Sequence, residues 1–474
     1  MRCSMLQLTI TLALAAAVFG FAFDRPAAAM EESELSVGRF GKVHLYRSAS
    51  QPRHVVLFVS GDGGWNSGVV DMARTLVGLD ALVVGIDIVH YLKQLGRSGE
   101  ACLYPAADFE SLSKFVQKRL DFKQYIQPVL VGYSSGAALV YALICQAPAN
   151  TFKAALSLGF CPDLPLPRAP CRGSGLTWQG KPGKEGYVFK PDKELQAPWV
   201  VFQGDIDQVC DARRAKAFAA EVPGAEVVAL PKVGHGFSVP RNWLPQFKKV
   251  FLRLAEPALD GQAPAAGLDD LPLVEVPAGS SSGRSLAVMV SGDGGWAGID
   301  RRMADALAER GVPVVGLNSL KYFWSPRTPD SAGRDLARIL NHYLQAWQKE
   351  KAVLIGYSLG ADVMPFMASR LPDTLRSRIG LIVLLAPSRQ TAFEFRVSEW
   401  FGLGNRAKQY PLLPEIERME AFRTLCIYGE KERGSLCREA LPSWVDKVGL
   451  AGGHHLGGDY EDIARLILEK MGSR

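Results

Sequence analysis

Val129-Leu-Val-Gly-Tyr-Ser134-Ser-Gly136 and Val353-Leu-Ile-Gly-Tyr-Ser358-Leu-Gly360 follow one pattern: an apolar run, a Gly-x-Ser-x-Gly, then a run of helical character. A short, uniformly apolar run reads as a strand buried on both faces. A serine directly after it sits on a sharp strand-to-helix turn, where bulky neighbours would clash, so glycine stands on either side. The hydroxyl is thereby presented at the carboxyl edge of a sheet, above a helix N-terminus. The five-residue motif alone is a weak signal. Its place between strand and helix makes Ser134 and Ser358 candidate nucleophiles.

The motif occurs twice because the whole unit does. Ser60-Gly-Asp-Gly-Gly-Trp65 returns unchanged as Ser291-Gly-Asp-Gly-Gly-Trp296, ahead of each serine. Apolar runs at 55–59, 82–86, 129–132, 154–158 and 200–203 are matched in order by runs at 286–290, 312–317, 352–356, 381–385 and 424–428. Helical patterns lie between them, as at 69–77, 108–118 and 137–145, and an amphipathic helix is expected at 460–471. This alternation predicts an α/β fold with mostly parallel, doubly wound sheets. The 474 residues suffice for two such units. The expected architecture is two tandem α/β-hydrolase-like domains, 30–255 and 271–474, joined by an Ala-, Pro- and Gly-rich linker at 256–270. Short strands near Glu34 to Tyr46 open the first, and Gly279-Ser-Ser-Ser-Gly283 reads as a hairpin turn opening the second.

A hydrophobic content of 48% with 22% charged residues is globular composition, enough for two cores. The net charge of +6 is not gathered into a basic patch, which argues against nucleic acid and leaves at most a weak attraction to an anionic membrane surface. Residues 1–29 carry Arg2, an apolar run from Met5 to Phe23 and Pro26-Ala-Ala-Ala29, the pattern of a secretory signal cut near Ala29. An uncleaved anchor is the competing reading; Cys3 lies outside a lipobox context. An exported chain permits disulfides. Cys426 with Cys437 and Cys161 with Cys171 are the expected pairs, while Cys102, Cys145 and Cys210 leave at least one thiol free. No Cys-x-x-Cys pair or histidine cluster suggests a metal, and no cofactor is expected.

A serine nucleophile on this fold needs an acid and then a histidine later in the chain. In the second unit Glu430 and Glu432 compete as the acid, and His454 and His455 as the base; in the first, Asp205 competes with Asp207, ahead of His235. The intervals from Ser134 to Ser358, Asp207 to Glu432 and His235 to His454 are nearly equal. That favours Ser358, Glu432 and His454 as one triad and Ser134, Asp207 and His235 as its counterpart. The Gly-rich motif after the preceding strand is where backbone N–H groups would meet a developing oxyanion. The expected donors are Gly294, Gly295 and Trp296 with Leu359, and 63–66 with Ser135 in the first unit. A phosphate-cradling loop is the rival reading, but the Lys-Ser/Thr of a nucleotide loop is missing. Asp293 is expected to cap the turn. Asp362, one helical turn beyond Ser358, and Arg327, within Lys321-Tyr-Phe-Trp-Ser-Pro-Arg327-Thr-Pro, are candidate substrate contacts, with ordinary packing as the alternative for each.

Together these residues resemble the AcvB/VirJ family of virulence proteins from plant-associated bacteria. The resemblance rests on the Ser291–Trp296 motif, Tyr322-Phe-Trp-Ser-Pro-Arg-Thr-Pro329, Gly356-Tyr-Ser-Leu-Gly-Ala-Asp362, Cys426-Ile-Tyr-Gly-Glu430 and Gly452-Gly-His-His455. It spans essentially the whole mature chain and matches the long, AcvB-like form. It implies an α/β-hydrolase fold, a periplasmic location and hydrolysis of lysyl-phosphatidylglycerol, with Ser358 as nucleophile. Its implied partners are aminoacylated and anionic phospholipid at the membrane surface. Two other readings stay open: a general carboxylesterase, and a non-enzymatic interaction protein serving type IV secretion components or substrates on a hydrolase scaffold.

Overall fold

The computed structural model describes residues 30–48, 51–181, 185–256, 267–279, 283–395 and 408–472. The signal segment expected at 1–29 and most of the linker expected at 256–270 lie outside the described residues.

The first sheet contains eight strands: β1 (Met30–Val37), β2 (Gly41–Ser48), β3 (His54–Val59), β4 (Ala81–Ile86), β5 (Val129–Tyr133), β6 (Ala154–Leu158), β7 (Trp199–Gly204) and β8 (Glu226–Leu230). Their order is β1-β2-β4-β3-β5-β6-β7-β8. The β1–β2 hairpin joins β4 antiparallel, and every pairing from β4 to β8 is parallel. The second sheet holds β9 (Leu273–Val276), β10 (Ser285–Val290), β11 (Val314–Leu317), β12 (Lys351–Tyr357), β13 (Ile379–Leu385), β14 (Thr424–Gly429) and β15 (Val445–Leu450). Its order is β9-β11-β10-β12-β13-β14-β15, with only β9 antiparallel. Two tandem α/β-hydrolase-type sheets are therefore present, as the apolar runs predict. Residues 280–282 of the hairpin turn expected at 279–283 lie outside the described residues; the flanking strands β9 and β10 both pair with β11, on opposite sides of it.

Alternation along each strand explains why the runs are apolar throughout. Leu57 and Val59 enter one core of the first unit while Val56 and Phe58 enter the other, on the opposite face of the sheet. Val288 and Val290 are divided from Ala287 and Met289 in the same way. Burying each such side chain contributes roughly 1.5–3 kcal/mol. The sheet order also places the chemistry. After β3 the chain turns to β4 on one side and later to β5 on the other, so a crevice opens at the carboxyl ends of β3 and β5, where ligands bind in open α/β sheets. Both the Ser60 motif and Ser134 lie there, and the second unit repeats this at β10 and β12.

The aromatic segment after β11 is a clasp between the units. Trp324 is 2% exposed, donates its indole N–H to the Phe122 carbonyl at 2.7 Å, and packs on Tyr125 and Phe395. The Lys118 ammonium lies 4.4 Å from the Trp324 ring centroid and also bonds the Trp324 carbonyl. Trp324→Ala is expected to cost about 2 kcal/mol, the scale of a buried interfacial aromatic. Calorimetry would show it as a lower, split unfolding transition; an unchanged single transition would contradict the clasp.

Candidate active site

Each unit closes a Ser–His–acid chain from three distant loops. In the C-terminal unit, Ser358 Oγ lies 2.9 Å from His454 Nε2, and His454 Nδ1 lies 2.5 Å from Glu432 Oε1. In the N-terminal unit, Ser134 Oγ lies 2.9 Å from His235 Nε2, and His235 Nδ1 lies 2.9 Å from Asp207 Oδ2. The structure thus chooses among the candidates. His455 turns away to bond the Tyr357 hydroxyl at 3.1 Å. Glu430 is exposed, and Asp205 accepts from the Lys232 N–H at 2.7 Å, bracing the turn before His235.

Sterics of the turn account for the glycines. Ser134 and Ser358 take left-handed φ values of 56° and 50°, a strain of about 1–3 kcal/mol for a residue with a Cβ. A Cβ on Gly356 would fall 2.3 Å from the Gly360 carbonyl oxygen, and one on Gly360 would fall 2.0 Å from that of Val290. Helix Leu359–Ser369 therefore starts directly against the sheet, and its first N–H groups lack helical partners.

The Ser-Gly-Asp-Gly-Gly-Trp motif builds the opposite wall, with roles that differ from the expectation. Ser291 Oγ accepts from the Ser319 N–H at 3.0 Å, as Ser60 does from Ile88 at 3.1 Å, tying two loops together. The residue that abuts the nucleophile is Gly292, where a Cβ would sit 3.5 Å from Ser358 Cβ. The N–H of Gly295 is spent on the Gly292 carbonyl at 3.0 Å, inside the turn. Trp296 is buried, its ring so close over Gly316 that a Cβ there would be 2.2 Å away. Gly295 thus closes the turn and does not offer its N–H to an oxyanion, while the Trp296 ring belongs to the core. Asp293 is exposed and makes no capping bond, whereas its counterpart Asp62 accepts from Ser135 Oγ at 2.5 Å.

The acids differ between units. Asp207 is fully buried and saturated: Oδ1 accepts from Val209 and Cys210 N–H, both at 2.9 Å, and Gln203 donates to Oδ2 at 3.1 Å. Glu432 has a buried Oε2 with no hydrogen-bond partner among the described residues. Two further carboxyls lie on the elements that build the site, Asp362 on the helix that follows Ser358 and Asp300 against the Gly292 loop. Asp362 is 6% exposed, accepts from the Ser388 N–H at 2.6 Å and is pushed up to about 8, mainly by burial and further by Asp293 and Glu432. Asp300, also buried, is raised to about 8 by the same desolvation, partly offset by peptide N–H groups, those of Ala297 and Gly292 among them. The matching positions in the first unit, four residues after Ser134 and nine after Ser60, hold Ala138 and Val69. The repeat alignment carried this signal; the sequence reading singled out Asp362 and missed Asp300.

Arg327, by contrast, is not brought to the triad. Its guanidinium stacks 4.6 Å from the Tyr322 ring centroid and its Nε bonds the Tyr322 carbonyl at 3.3 Å. Packing at the base of the clasp occupies it, which removes it as a phosphate contact.

Disulfides clamp both acid loops. Cys426–Cys437 forms as expected and spans Glu432. Cys161 pairs with Cys210, three residues past Asp207, and not with Cys171, which joins Cys102. The parallel bridge between Leu103 and Pro170 sets the last pair side by side, with 5.0 Å between Cα atoms. Cys145 is the buried free thiol. Such links typically contribute 2–4 kcal/mol each. Among the described residues no cluster of metal-binding side chains occurs and no helix is long and apolar enough to cross a membrane.

A model of the bacterial virulence protein family VirJ matches residues 53–160 and 284–474, more than half of the chain. Among solved structures, a putative dienelactone hydrolase from Klebsiella pneumoniae subsp. pneumoniae MGH 78578 is 16% identical with a TM-score of 0.36, over 48% of this chain and 100% of that one. An α/β serine hydrolase without lid from Xanthomonas campestris is 18% identical with a TM-score of 0.32, over 48% and 95%. A search of curated protein sequences returns no significant match.

Proposed function

The chain belongs to the VirJ family of bacterial virulence proteins, and from that premise we propose that its C-terminal unit is a periplasmic serine hydrolase that cleaves the aminoacyl ester of lysyl-phosphatidylglycerol. Ser358 Oγ attacks the lysyl carbonyl while His454 Nε2 takes its proton, and Glu432 steadies the imidazolium. Leu359 N–H and the peptide following Gly292 face the developing oxyanion. The histidine returns the proton to the glycerol oxygen, releasing phosphatidylglycerol. Water, deprotonated by the same histidine, then frees lysine and restores Ser358.

The observation that carries this reading is the acidic set on the elements bearing Ser358 and its wall: Asp293 and Glu432 both act on the buried Asp362, and Asp300 is held by peptide N–H groups of the Gly292 loop. A cationic acyl group supplies the counter-charge that such a site needs, and a donor to the unpartnered Glu432 Oε2. The His454 side chain is 39% exposed, so a headgroup ester held at a membrane surface reaches the triad without a deep tunnel. Three disulfides support an exported protein.

Purified protein offered vesicles of phosphatidylglycerol containing its lysyl derivative should release lysine and should turn over a neutral chromogenic ester much less efficiently. Equal efficiency would mean a general carboxylesterase. Failure of a fluorophosphonate to label Ser358 would leave only the interaction-protein reading. A second result concerns pH. Asp362 holds its proton below about 8 in the free site, and an incoming ammonium favours the ionised form. Cation binding therefore releases a proton, and affinity should climb as pH approaches 8 and then level off. In kcat/KM profiles for lysyl and neutral esters, that extra limb should appear only with the lysyl ester and vanish in Asp362→Asn, with roughly a tenfold rise in KM. Identical profiles for the two substrates would exclude Asp362 from cation recognition.

A further inference from the structure

We infer that the N-terminal unit is a second catalytic centre, a serine hydrolase for esters of uncharged, apolar acyl groups. The distances in Ser134–His235–Asp207 match those of a working triad, and the acid is held by more hydrogen bonds than Glu432 is. Ser134 also keeps the left-handed φ of 56°. A unit kept only as a scaffold gains nothing from that strain, which serves to present the hydroxyl. Gly61 lies against it, with a Cβ there 3.0 Å from Ser134 Cβ, so the oxyanion wall is in place as well.

The surroundings set the substrate class. Ala138 and Val69 stand where the other unit has Asp362 and Asp300, and Asp62 is tied to Ser135, so the two buried carboxyls of the other unit have no counterpart here. The loops bearing the acid and the histidine instead expose Ile206, Val209 and Val239, at 60%, 67% and 38%. Exposed aliphatic side chains on the loops that carry the acid and the histidine favour an acyl chain and offer an ammonium nothing. In the reaction Ser134 Oγ adds to the carbonyl and His235 accepts its proton and passes it to the departing alkoxide. Water then hydrolyses the acyl-serine, giving a carboxylic acid and an alcohol.

The full-length protein tests this through Ser358→Ala, Ser134→Ala and the double variant, so that failure of one centre is read apart from failure of the other. Intact-mass spectra after fluorophosphonate treatment should show two adducts on the native chain and one, at Ser134, on Ser358→Ala. That variant should hydrolyse p-nitrophenyl octanoate at least tenfold faster than the double variant, and at least tenfold faster than it hydrolyses the p-nitrophenyl ester of lysine. No adduct at Ser134 on Ser358→Ala, or octanoate turnover no faster than in the double variant, overturns the second centre. Equal turnover of the lysine ester by Ser358→Ala overturns the substrate class.

Discussion

Ser358→Ala should lower lysyl-phosphatidylglycerol turnover by at least about a thousandfold, a loss of about 4 kcal/mol of transition-state stabilisation. Among the described residues the hydroxyl is the only group whose oxygen bonds His454 Nε2, so none of these neighbours can substitute for it. His454→Ala should fall as far, because the proton then has no acceptor and Glu432 no partner. His455→Ala should stay within a few-fold, since that ring is bonded to Tyr357 and not to the serine. Ser134→Ala should leave most of the lysyl turnover, because its site lacks the Asp362 and Asp300 carboxyls. The assay is lysine release from vesicles. Equal losses in Ser134→Ala and Ser358→Ala would mean that the two centres act jointly on one substrate.

Gly360→Ala should do comparable damage by a different route. The new methyl would sit 2.0 Å from the Val290 carbonyl oxygen and 2.8 Å from that of Ser291. Both belong to the strand end and motif that form the oxyanion wall, and backbone atoms in the middle of a sheet cannot swing aside as a side chain would. Helix Leu359–Ser369 would have to lift off β10, costing at least about 3 kcal/mol. For a unit of this size that is roughly 6–12 °C in the midpoint of its transition. Gly294→Ala is the control, with no atom within 4 Å of its new Cβ. Calorimetry of the two variants should show a large shift for one and almost none for the other; similar midpoints would remove close packing as the reason for the second glycine of the motif.

Much of this was written in the order of residues. Strand alternation placed Val353–Ile355 in a buried parallel strand, and the repeated motifs paired Ser134 with Ser358 and His235 with His454 across the duplication. Cys426 and Cys437 were close enough in the chain for their link to be read directly. Cys102 and Cys171 were not, because a bridge between two loops brings them together. Whether the segment around Trp324 borders a substrate or simply packs could not be decided in advance, since the partners of Trp324, Phe122 and Lys118, lie some two hundred positions earlier. Burial of the Trp296 ring over Gly316 was not legible either, because the strand that receives it lies some twenty positions later.

Chain order and composition were enough to establish a duplicated α/β unit, a nucleophile elbow in each half, and the sequence in which acid and base follow. Equal intervals favoured Glu432 and His454, but folding is what sets His454 against Ser358 and Glu432 against His454, turns Glu430 and His455 elsewhere, and makes Gly292 the wall. It also decided that Asp293 and Glu432 bear on the buried Asp362 in one unit, while the acid and histidine loops of the other expose Ile206, Val209 and Val239. Position along a chain is one-dimensional, whereas a hydrogen bond depends on the direction in which each side chain leaves its loop. Adjacent residues leave in different directions, so spacing could narrow the choice to neighbours and go no further.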